Sequence, residues 1–464
     1  MFLFRKLIAF VRSSLCYGGV MVTASHLPGD RNGFKFFDAY HGGFQKSQVI
    51  KMLKIAQDHA QIWFDMGFLP PTSVGNVHCT EYVNWMDHYQ QQLEQVLLRQ
   101  VNHNQTSSLG SENNFPLRGL KIVLNPGNGS GGFFQKVLMN LGADVEGSIN
   151  IISDASFPRG IPNPEKDDMI QETISACEAA DADLGILLDT DADRCGMVAP
   201  RTYTRMVATR EDEGTYFKPS NFEPLNRNRL IALMGVIYSR QSPGCAVVTD
   251  SVTSNGLTKF LEEDLNLKHI RYLRGYANVI HKARSVNAEM SAIAEVAIET
   301  SGHCAVRENG FLDDGTFTAL KVLGLLAQER RRNEGTTRHS LLDLLSNLEE
   351  LDEVIEFRLP GKDNNLESVT RLFDLIALEI ENQCEDQSEW SVDRSNLEGI
   401  RVLTEPDGGF FLLRKSLHDP VICLQVEASS KAAAKRSITD PLLQLLQAET
   451  QTVELLDLSA LEHY

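Results

Sequence analysis

From residue 184 to residue 194 the chain reads Leu-Gly-Ile-Leu-Leu-Asp-Thr-Asp-Ala-Asp-Arg. Asp189, Asp191 and Asp193 alternate, and Arg194 follows at once. Three carboxylates converging on one loop repel each other unless a cation joins them. All-oxygen ligation favours a hard divalent ion, and Mg²⁺ is the expected one. A Ca²⁺ loop of EF-hand type does not fit. Its sixth position requires Gly and holds Arg194, and its twelfth requires Glu and holds Pro200. The bland reading is a solvated acidic turn. A second group stands near the N-terminus: Thr23-Ala24-Ser25-His26-Leu27-Pro28, followed by Asn32-Gly33-Phe34-Lys35. A serine with His26, Arg31 and Lys35 around it is suited to carrying a phosphate, whose charge of about −1.5 to −2 needs cationic partners.

The elements around these residues are of a kind to position them. Leu184–Leu188 is an apolar run that reads as a buried strand. The acids then lie on the loop at its carboxyl end, where open α/β sheets bind ligands. Gly18–Val22 reads as a strand that delivers Ser25 to a sharp turn, with Gly29, Asn32 and Gly33 permitting unusual backbone angles. A strand over 120–124 leads into Gly127, Gly129 and Gly132 and a helix from Phe133. That spacing satisfies G-x-G-x-x-G, a dinucleotide fingerprint. The acid it requires about twenty residues later, at the end of a second strand, is not evident, since Asp144 and Glu146 come early and Asp154 sits in a Ser/Pro-rich loop.

Helical patterns cover 49–55 and 89–98, and 101–114 reads as a linker or surface loop. The polar stretch 201–219 reads as an excursion between domains. From about Asn226, helix 229–238, strand 245–249, helix 256–265, strand 269–273 and strand 295–298 alternate as in a parallel sheet with covering helices. Asp314 is expected to cap the next helix. From about Leu351 the order is strand, helix, three strands and helix (432–446), a small α+β unit.

Two further motifs complete the pattern. Glu299-Thr300-Ser301-Gly302-His303 ends the strand at 295–298, and Arg414-Lys415-Ser416-Leu417-His418-Asp419-Pro420 lies between two strands. With these four motifs in this order, the chain resembles the α-D-phosphohexomutases, the phosphoglucomutase/phosphomannomutase superfamily. That family carries a T-A-S-H-x-P serine loop, a D-G-D-x-D-R metal loop, a G-E-x-S-G-H sugar loop and an R-x-S-x-x-x-P phosphate loop. Thr190 and Ile298 replace two of its glycines here, and Leu417 and His418 stand where small or hydroxylated residues are frequent.

The resemblance implies successive three-layer α/β/α domains plus a C-terminal α+β domain. The expected boundaries are 1–115 with the phosphoserine loop, 116–225 with the metal loop, 226–350 with the sugar loop, and 351–464 with the phosphate loop. Only 24 residues precede Ser25, so the resemblance also implies that the first half of the first domain is missing. In such an enzyme phospho-Ser25 gives its phosphoryl group to a hexose phosphate, a hexose 1,6-bisphosphate forms and turns over, and the other phosphate returns to Ser25. Asp189, Asp191, Asp193 and a phosphoserine oxygen would hold Mg²⁺, and Arg194 the phosphoryl oxygens. Lys35 and His303 would move the hydroxyl proton. His26, Gly275, Glu299 and Ser301 would contact the sugar phosphate, with Arg414, Ser416 and His418 on its distal phosphate. The C-terminal domain is expected to swing as a lid. The substrate the resemblance implies is a phosphorylated glucose, mannose or both, with an amino sugar left open. Two other readings stay open: an impaired, truncated homologue that binds sugar phosphates or partners, and a nucleotide-dependent oxidoreductase resting on the Gly127 turn.

Net charge is −18, with Lys+Arg 44 and Asp+Glu 62. That argues against general nucleic-acid or anionic-membrane binding, which need a basic footprint. It leaves room for a local cationic cleft. The length implies several domains. Eight cysteines occur singly without a C-x-x-C pair, so reduced thiols in a cytosol-like compartment are expected. Residues 1–17 lack acids and carry Arg5, Lys6, Arg12, Ser13 and Ser14. They read as a helix of the truncated domain, or alternatively as a plastid or mitochondrial presequence. Oligomeric state is not legible.

Overall fold

A computed structural model of the chain describes residues 17–23, 32–38, 42–44, 46–67, 82–102, 114–207, 215–332, 338–386, 389–405, 408–416 and 419–464. Two compact units form, one from Met1–Arg240 with Ser301–Ser346, the other from Gln241–Thr300 with Asn347–Tyr464. Residues 226–350 contribute to both units. The linker expected over 101–114 lies largely outside the described residues.

The first unit opens with an antiparallel hairpin, β1 (Gly18–Val22) and β2 (Phe34–Asp38), in the register Val22↔Phe34. Thr23 N–H donates to Gly33 O at 3.0 Å and closes the ladder at the mouth of the serine loop. The two-residue strand β3 (Gly42–Gly43) pairs with β2. Helices α1 (Lys46–Asp65) and α2 (Met86–Asn102) extend the two predicted helical patterns in both directions. Strand β4 (Ile122–Asn125) ends in the glycine turn and is followed by α3 (Phe134–Asn140). After α4 (Asp167–Ala180) the chain enters β5 (Leu184–Leu188), parallel to β4 and wholly buried. Met169, Ile170 and Cys177 of α4 pack on Val123 and Leu187 of these strands, the usual cover for a parallel pair.

The stretch 201–219 is not an interdomain excursion. It belongs to two long antiparallel strands, β6 (Cys195–Val207) and β7 (Thr215–Pro224), which complete a sheet of order β4-β5-β6-β7. Residues 201–206 are nearly all exposed, so they lack the period-2 burial that identifies a strand in sequence. The ladder and cross-strand pairs such as Arg201 with Glu223 (2.8 Å) hold them instead. Helix α5 (Asn228–Gln241) follows.

In the second unit β8 (Ala246–Thr249) pairs in parallel with β9 (Lys268–Arg271). Helix α6 (Tyr276–Ala288) then leads to β10 (Ala294–Ile298), parallel to β8 on its other side. Returning to the first unit, β11 (Cys304–Val306) and β12 (Leu312–Asp313) pair antiparallel and lead into α7 (Gly315–Arg332). Asp314 caps α7 by accepting the Phe317 N–H at 3.0 Å.

The C-terminal part of the second unit is a five-stranded sheet of order β13 (Glu353–Pro360), β17 (Val421–Ala428), β16 (Phe410–Lys415), β15 (Ile400–Thr404) and β14 (Trp390–Val392). Helix α8 (Leu366–Asp386) packs Val369, Leu372, Phe373 and Ile376 against it. Strand β14 was not legible as one, being only three residues long. The helix expected over 432–446 is broken into Lys431–Ala434, a wider turn at Lys435–Thr439, and Asp440–Ala448. Pro441, at the start of that last piece, has no N–H to continue the ladder through it.

Candidate active site

The buried strand β5 carries the acids out at its carboxyl end. Ala192 takes a left-handed φ of 59°, so the loop coils tightly and the three carboxylates turn inward. Asp189, Asp191 and Asp193 are all buried, and one oxygen of each lies within 4.8 Å of the others. This rules out the solvated acidic turn. The glycine turn after β4 serves as a buttress: Ser130 N–H donates to Thr190 O at 2.9 Å. A Cβ on Gly129 would lie 2.8 Å from Thr190 O and one on Gly132 2.0 Å from Ile151 O. The turn's glycines are used up by packing against protein, which removes the sequence feature behind the oxidoreductase reading.

Charges from distant parts of the chain meet these acids. Lys35 Nζ, on β2, lies 3.2 Å from Asp191 Oδ2 and 2.9 Å from Asp193 Oδ2. Thr23 Oγ1, at the end of β1, donates to Asp191 Oδ2 at 3.0 Å. Arg194 folds back and donates its backbone N–H and Nε to Asp189 at 3.2 and 2.9 Å, while Nη1 reaches Asn163 at 3.3 Å. Burial, and then the Asp193 and Asp191 charges, push the Asp189 carboxyl well above the usual range. Burial also opposes ionisation of Asp193, but Lys35, His303 and Arg194 outweigh it and hold that carboxyl low. Arg194 stays cationic because Asp189 and Asp193 overcome its own desolvation.

These residues fit a divalent cation. The upward push on Asp189 marks more carboxyl groups than the cations beside them can neutralise, an excess that a dication would relieve. Asp191 Oδ1 and Asp193 Oδ1 are buried with no hydrogen-bond partner among the described residues. Lys35 lies against the Oδ2 atoms of these two, which leaves Oδ1 of Asp191 and of Asp193 for a metal, while both oxygens of Asp189 accept from Arg194. Arg194 Nη2 is likewise buried without a partner, a donor suited to an anion beside the cation.

The loop after residue 300 is tied to the acid loop by backbone. Cys195 N–H donates to Gly302 O at 3.1 Å, and Gly315 N–H to Ala192 O at 3.1 Å. Gly302 has φ +94°, and a Cβ there would lie 2.6 Å from Cys195 O. His303 is thereby held with Nδ1 3.7 Å from Asp193 Oδ1 and 2.5 Å from Asp313 Oδ2. Ser301 is half-buried in the same unit.

In the second unit the expected substrate residues form their own group. Glu299, buried at the end of β10, accepts the Gly275 N–H at 2.6 Å, and Gly275 opens α6 with φ +114°. Arg414 on β16 donates Nη2 to Glu356 Oε2 at 2.8 Å, and Arg274 Nη1 reaches the same oxygen at 3.3 Å. Arg414 Nε is buried with no partner among the described residues. Burial opposes ionisation of Glu356, yet Arg414 and Arg274 hold its carboxyl low. Ser416 N–H donates to Val421 O at 2.9 Å, which closes the phosphate loop. Ser25, His26 and His418 lie outside the described residues.

Sequence reasoning missed Thr23, Asn163, Asp313 and Glu356. Thr23 and Asp313 stood beside residues already singled out. Asn163 and Glu356 had no signal, because their roles come from distant pairing.

Three family models match the chain. They are the phosphoglucomutase/phosphomannomutase α/β/α domain I over residues 6–62, domain II over 97–202 and domain III over 226–347. The chain belongs to the phosphoglucomutase/phosphomannomutase family. The phosphomannomutase/phosphoglucomutase of Pseudomonas syringae pv. tomato is 26% identical over 422 residues, covering 90% of this chain and 74% of that protein. The phosphoglucomutase of Neisseria meningitidis serogroup A is 26% identical over 438 residues, covering 93% and 78%. In fold, the chain is similar to a phosphoglucomutase/phosphomannomutase family protein from Burkholderia thailandensis, with TM-score 0.63, 22% identity, and coverage of 93% of this chain and 76% of that one. Membership makes this a phosphohexomutase-type enzyme built on that family's α/β/α domains. No described helix is long and apolar enough to cross a membrane. The six described cysteines are free thiols.

Proposed function

We propose that the chain interconverts hexose 1-phosphate and hexose 6-phosphate, with glucose, mannose or both as the sugar, through phospho-Ser25 and a hexose 1,6-bisphosphate. The observation that carries this reading is the joining of both flanks of the serine loop to the acid loop: Thr23 and Lys35 both bond Asp191. Ser25 follows Thr23 by two residues, a reach of at most about 7 Å of extended chain. This short separation along the chain supports a phosphate on Ser25 as the group that meets the metal site.

The roles follow from charge and protonation. Asp189, Asp191 and Asp193, with a phosphoserine oxygen, would hold Mg²⁺, which would supply charge stabilisation for the transferring phosphoryl group. Arg194 donates to the same phosphoryl oxygens. Lys35, an ammonium shared by two carboxylates, is a donor rather than a base. It gives a proton to the departing serine oxygen while His303 takes one from the attacking hydroxyl. A bond from sugar oxygen to phosphorus forms and the bond to Ser25 Oγ breaks. Glu299 and Ser301 accept and donate to sugar hydroxyls. Arg414 and Ser416, with His418, hold the phosphate that is not reacting and so orient the end that is.

The test is incubation with glucose 1,6-bisphosphate and Mg²⁺, phosphate mapping by mass spectrometry, and turnover assays with glucose 1-phosphate and mannose 1-phosphate. Phosphate on Ser25 with turnover is the expected result, and Ser25→Ala abolishes both. Phosphate without turnover identifies an impaired mutase. Neither phosphate nor turnover ends the mutase reading and leaves a sugar-phosphate binder.

A further inference from the structure

We propose that Asp313 is the positioning residue of His303, fixing the imidazole as the tautomer that carries its proton on Nδ1 and its lone pair on Nε2. The inference deepens the proposed function, since it rests on His303 as the group that takes the hydroxyl proton. No motif of the sequence assigns Asp313 this role; its neighbour Asp314 is the helix cap.

Asp313 is fully buried and lies on β12, opposite Ala305 of β11 in an antiparallel pair. Its two oxygens are divided between two donors. Oδ1 accepts the backbone N–H of Cys304 at 2.9 Å. Oδ2 lies 2.5 Å from His303 Nδ1. A ring nitrogen this close to a buried carboxylate oxygen is stable as a donor, because a lone pair there would point at negative charge. Nδ1 therefore holds the proton, and Nε2 is left as the site that accepts one. The same geometry separates this group from the metal site. Asp193, His303 and Asp313 are close enough together to resemble a ligand set, but a protonated Nδ1 has no lone pair for a metal. The backbone makes the arrangement rigid: residues 302 and 303 are bridged to Arg194 and Cys195, and Asp313 is pinned through Cys304.

Asp313→Asn tests this sharply, because the amide has only one acceptor. The Cys304 N–H is part of the backbone and cannot turn away. Placing the amide nitrogen against it would bury two donors face to face, at a cost of an unmade hydrogen bond. The asparagine oxygen therefore goes to Cys304 and its NH₂ group faces His303 Nδ1. That group donates to Nδ1, which must then be unprotonated, and the proton moves to Nε2. The variant keeps shape and burial and inverts the tautomer. An imidazole with a proton on Nε2 cannot accept another there.

The experiment uses the full chain with Mg²⁺, labelled with ¹⁵N histidine, with the His303 ring signals assigned by their absence in His303→Gln. The wild-type protein is expected to show Nδ1 protonated and Nε2 as the lone-pair nitrogen, and Asp313→Asn the reverse. In steady-state assays Asp313→Asn is expected to lower kcat by about 10²- to 10⁴-fold, the range for loss of a general base or of its tautomer. KM for the hexose phosphate is expected to stay within about threefold. A wild-type ring protonated on Nε2, or an unchanged tautomer in Asp313→Asn, overturns the assignment. So does an inverted tautomer with kcat unchanged. The wild-type spectrum decides the tautomer even if the variant does not fold. Absence of both phosphate on Ser25 and turnover in the wild-type protein would end the mutase reading while leaving the spectra to judge Asp313.

Discussion

Lys35 is the residue on which the acid loop depends most in the absence of metal. Its ammonium faces Oδ2 of both Asp191 and Asp193, whose side chains are fully buried. Removing one partner of a buried ion pair leaves the other charge uncompensated, which typically costs 3–5 kcal/mol. Lys35 is partly solvated, so the lower end applies. Lys35→Met is expected to destabilise the metal-free protein by about 3 kcal/mol. Saturating Mg²⁺ should recover much of that loss, because a dication neutralises the same carboxylates. Thermal melts with and without Mg²⁺ check this; an equal loss in both would mean that the ion does not bind at these acids. At this scale the alternating acids, Arg194 and Lys35 were readable, because each is a charged residue type inside a short motif. Thr23 and Asp313 were not, because a hydroxyl or a carboxylate beside a motif says nothing of its partner until the chain brings positions 23 and 191, or 303 and 313, within bonding distance.

Among the elements, the contact between the loop at 302 and the start of β6 holds the histidine to the acids. Gly302 combines φ +94° with a carbonyl 2.6 Å from where a Cβ would be. Gly160 has a similar φ of +88° with nothing within 4 Å. Gly160→Ala should therefore cost only backbone strain, about 1 kcal/mol, whereas Gly302→Ala should cost at least about 2 kcal/mol more as the carbonyl is pushed aside. Urea midpoints of the two variants measure the difference, and equal midpoints would mean that the approach is not tight. Most strands and helices were readable from apolar runs: β1 and β5 fall at their expected residues, and α1 and α2 extend beyond theirs. The outer ends of β6 and β7 were not readable. Residues 201–206 of β6 are nearly all exposed, so no alternation marks that end, and pairing with β7 makes it a strand. Likewise the break before Pro441 divides a pattern whose periodicity alone looks continuous.

For the whole molecule, the second unit carries a built-in acid sensitivity. His269 on β9 is half-buried, with Nε2 2.8 Å from Thr249 Oγ1 and Nδ1 2.9 Å from Thr258 Oγ1. Burial, then the Arg271 and Arg401 charges, lower its pKa to about 3. The unfolded chain binds this proton below about pH 6.5 and the folded chain does not. Stability from this group is therefore present above about pH 6.5 and lost as pH falls toward 3, by at most about 1.4 kcal/mol per pH unit. His269→Asn should flatten that part of the stability profile, and subtracting one profile from the other removes the effect of the general −18 charge. Parallel profiles would refute the assignment. The same unit bears on the expected lid motion. Arg401, fully buried in the C-terminal sheet, donates to Ser251 O at 3.1 Å and to Asn255 Oδ1 at 3.2 Å. Arg271 pairs with Asp393 at 3.3 Å. A swing of the C-terminal domain away from residues 241–300 has to break these buried bonds, so the two segments move together unless that cost is met.

Read alone, the chain determined the family, the acid loop and the order of its functional loops, because those depend on residue type at short spacing along the backbone. Only the tertiary structure decided how the charges pair: Lys35 across two acids, Asp313 behind His303, and Glu356 against Arg414. The reason is that an electrostatic partner is chosen by distance and burial, and neither is written in the local sequence when the partners stand far apart along the chain.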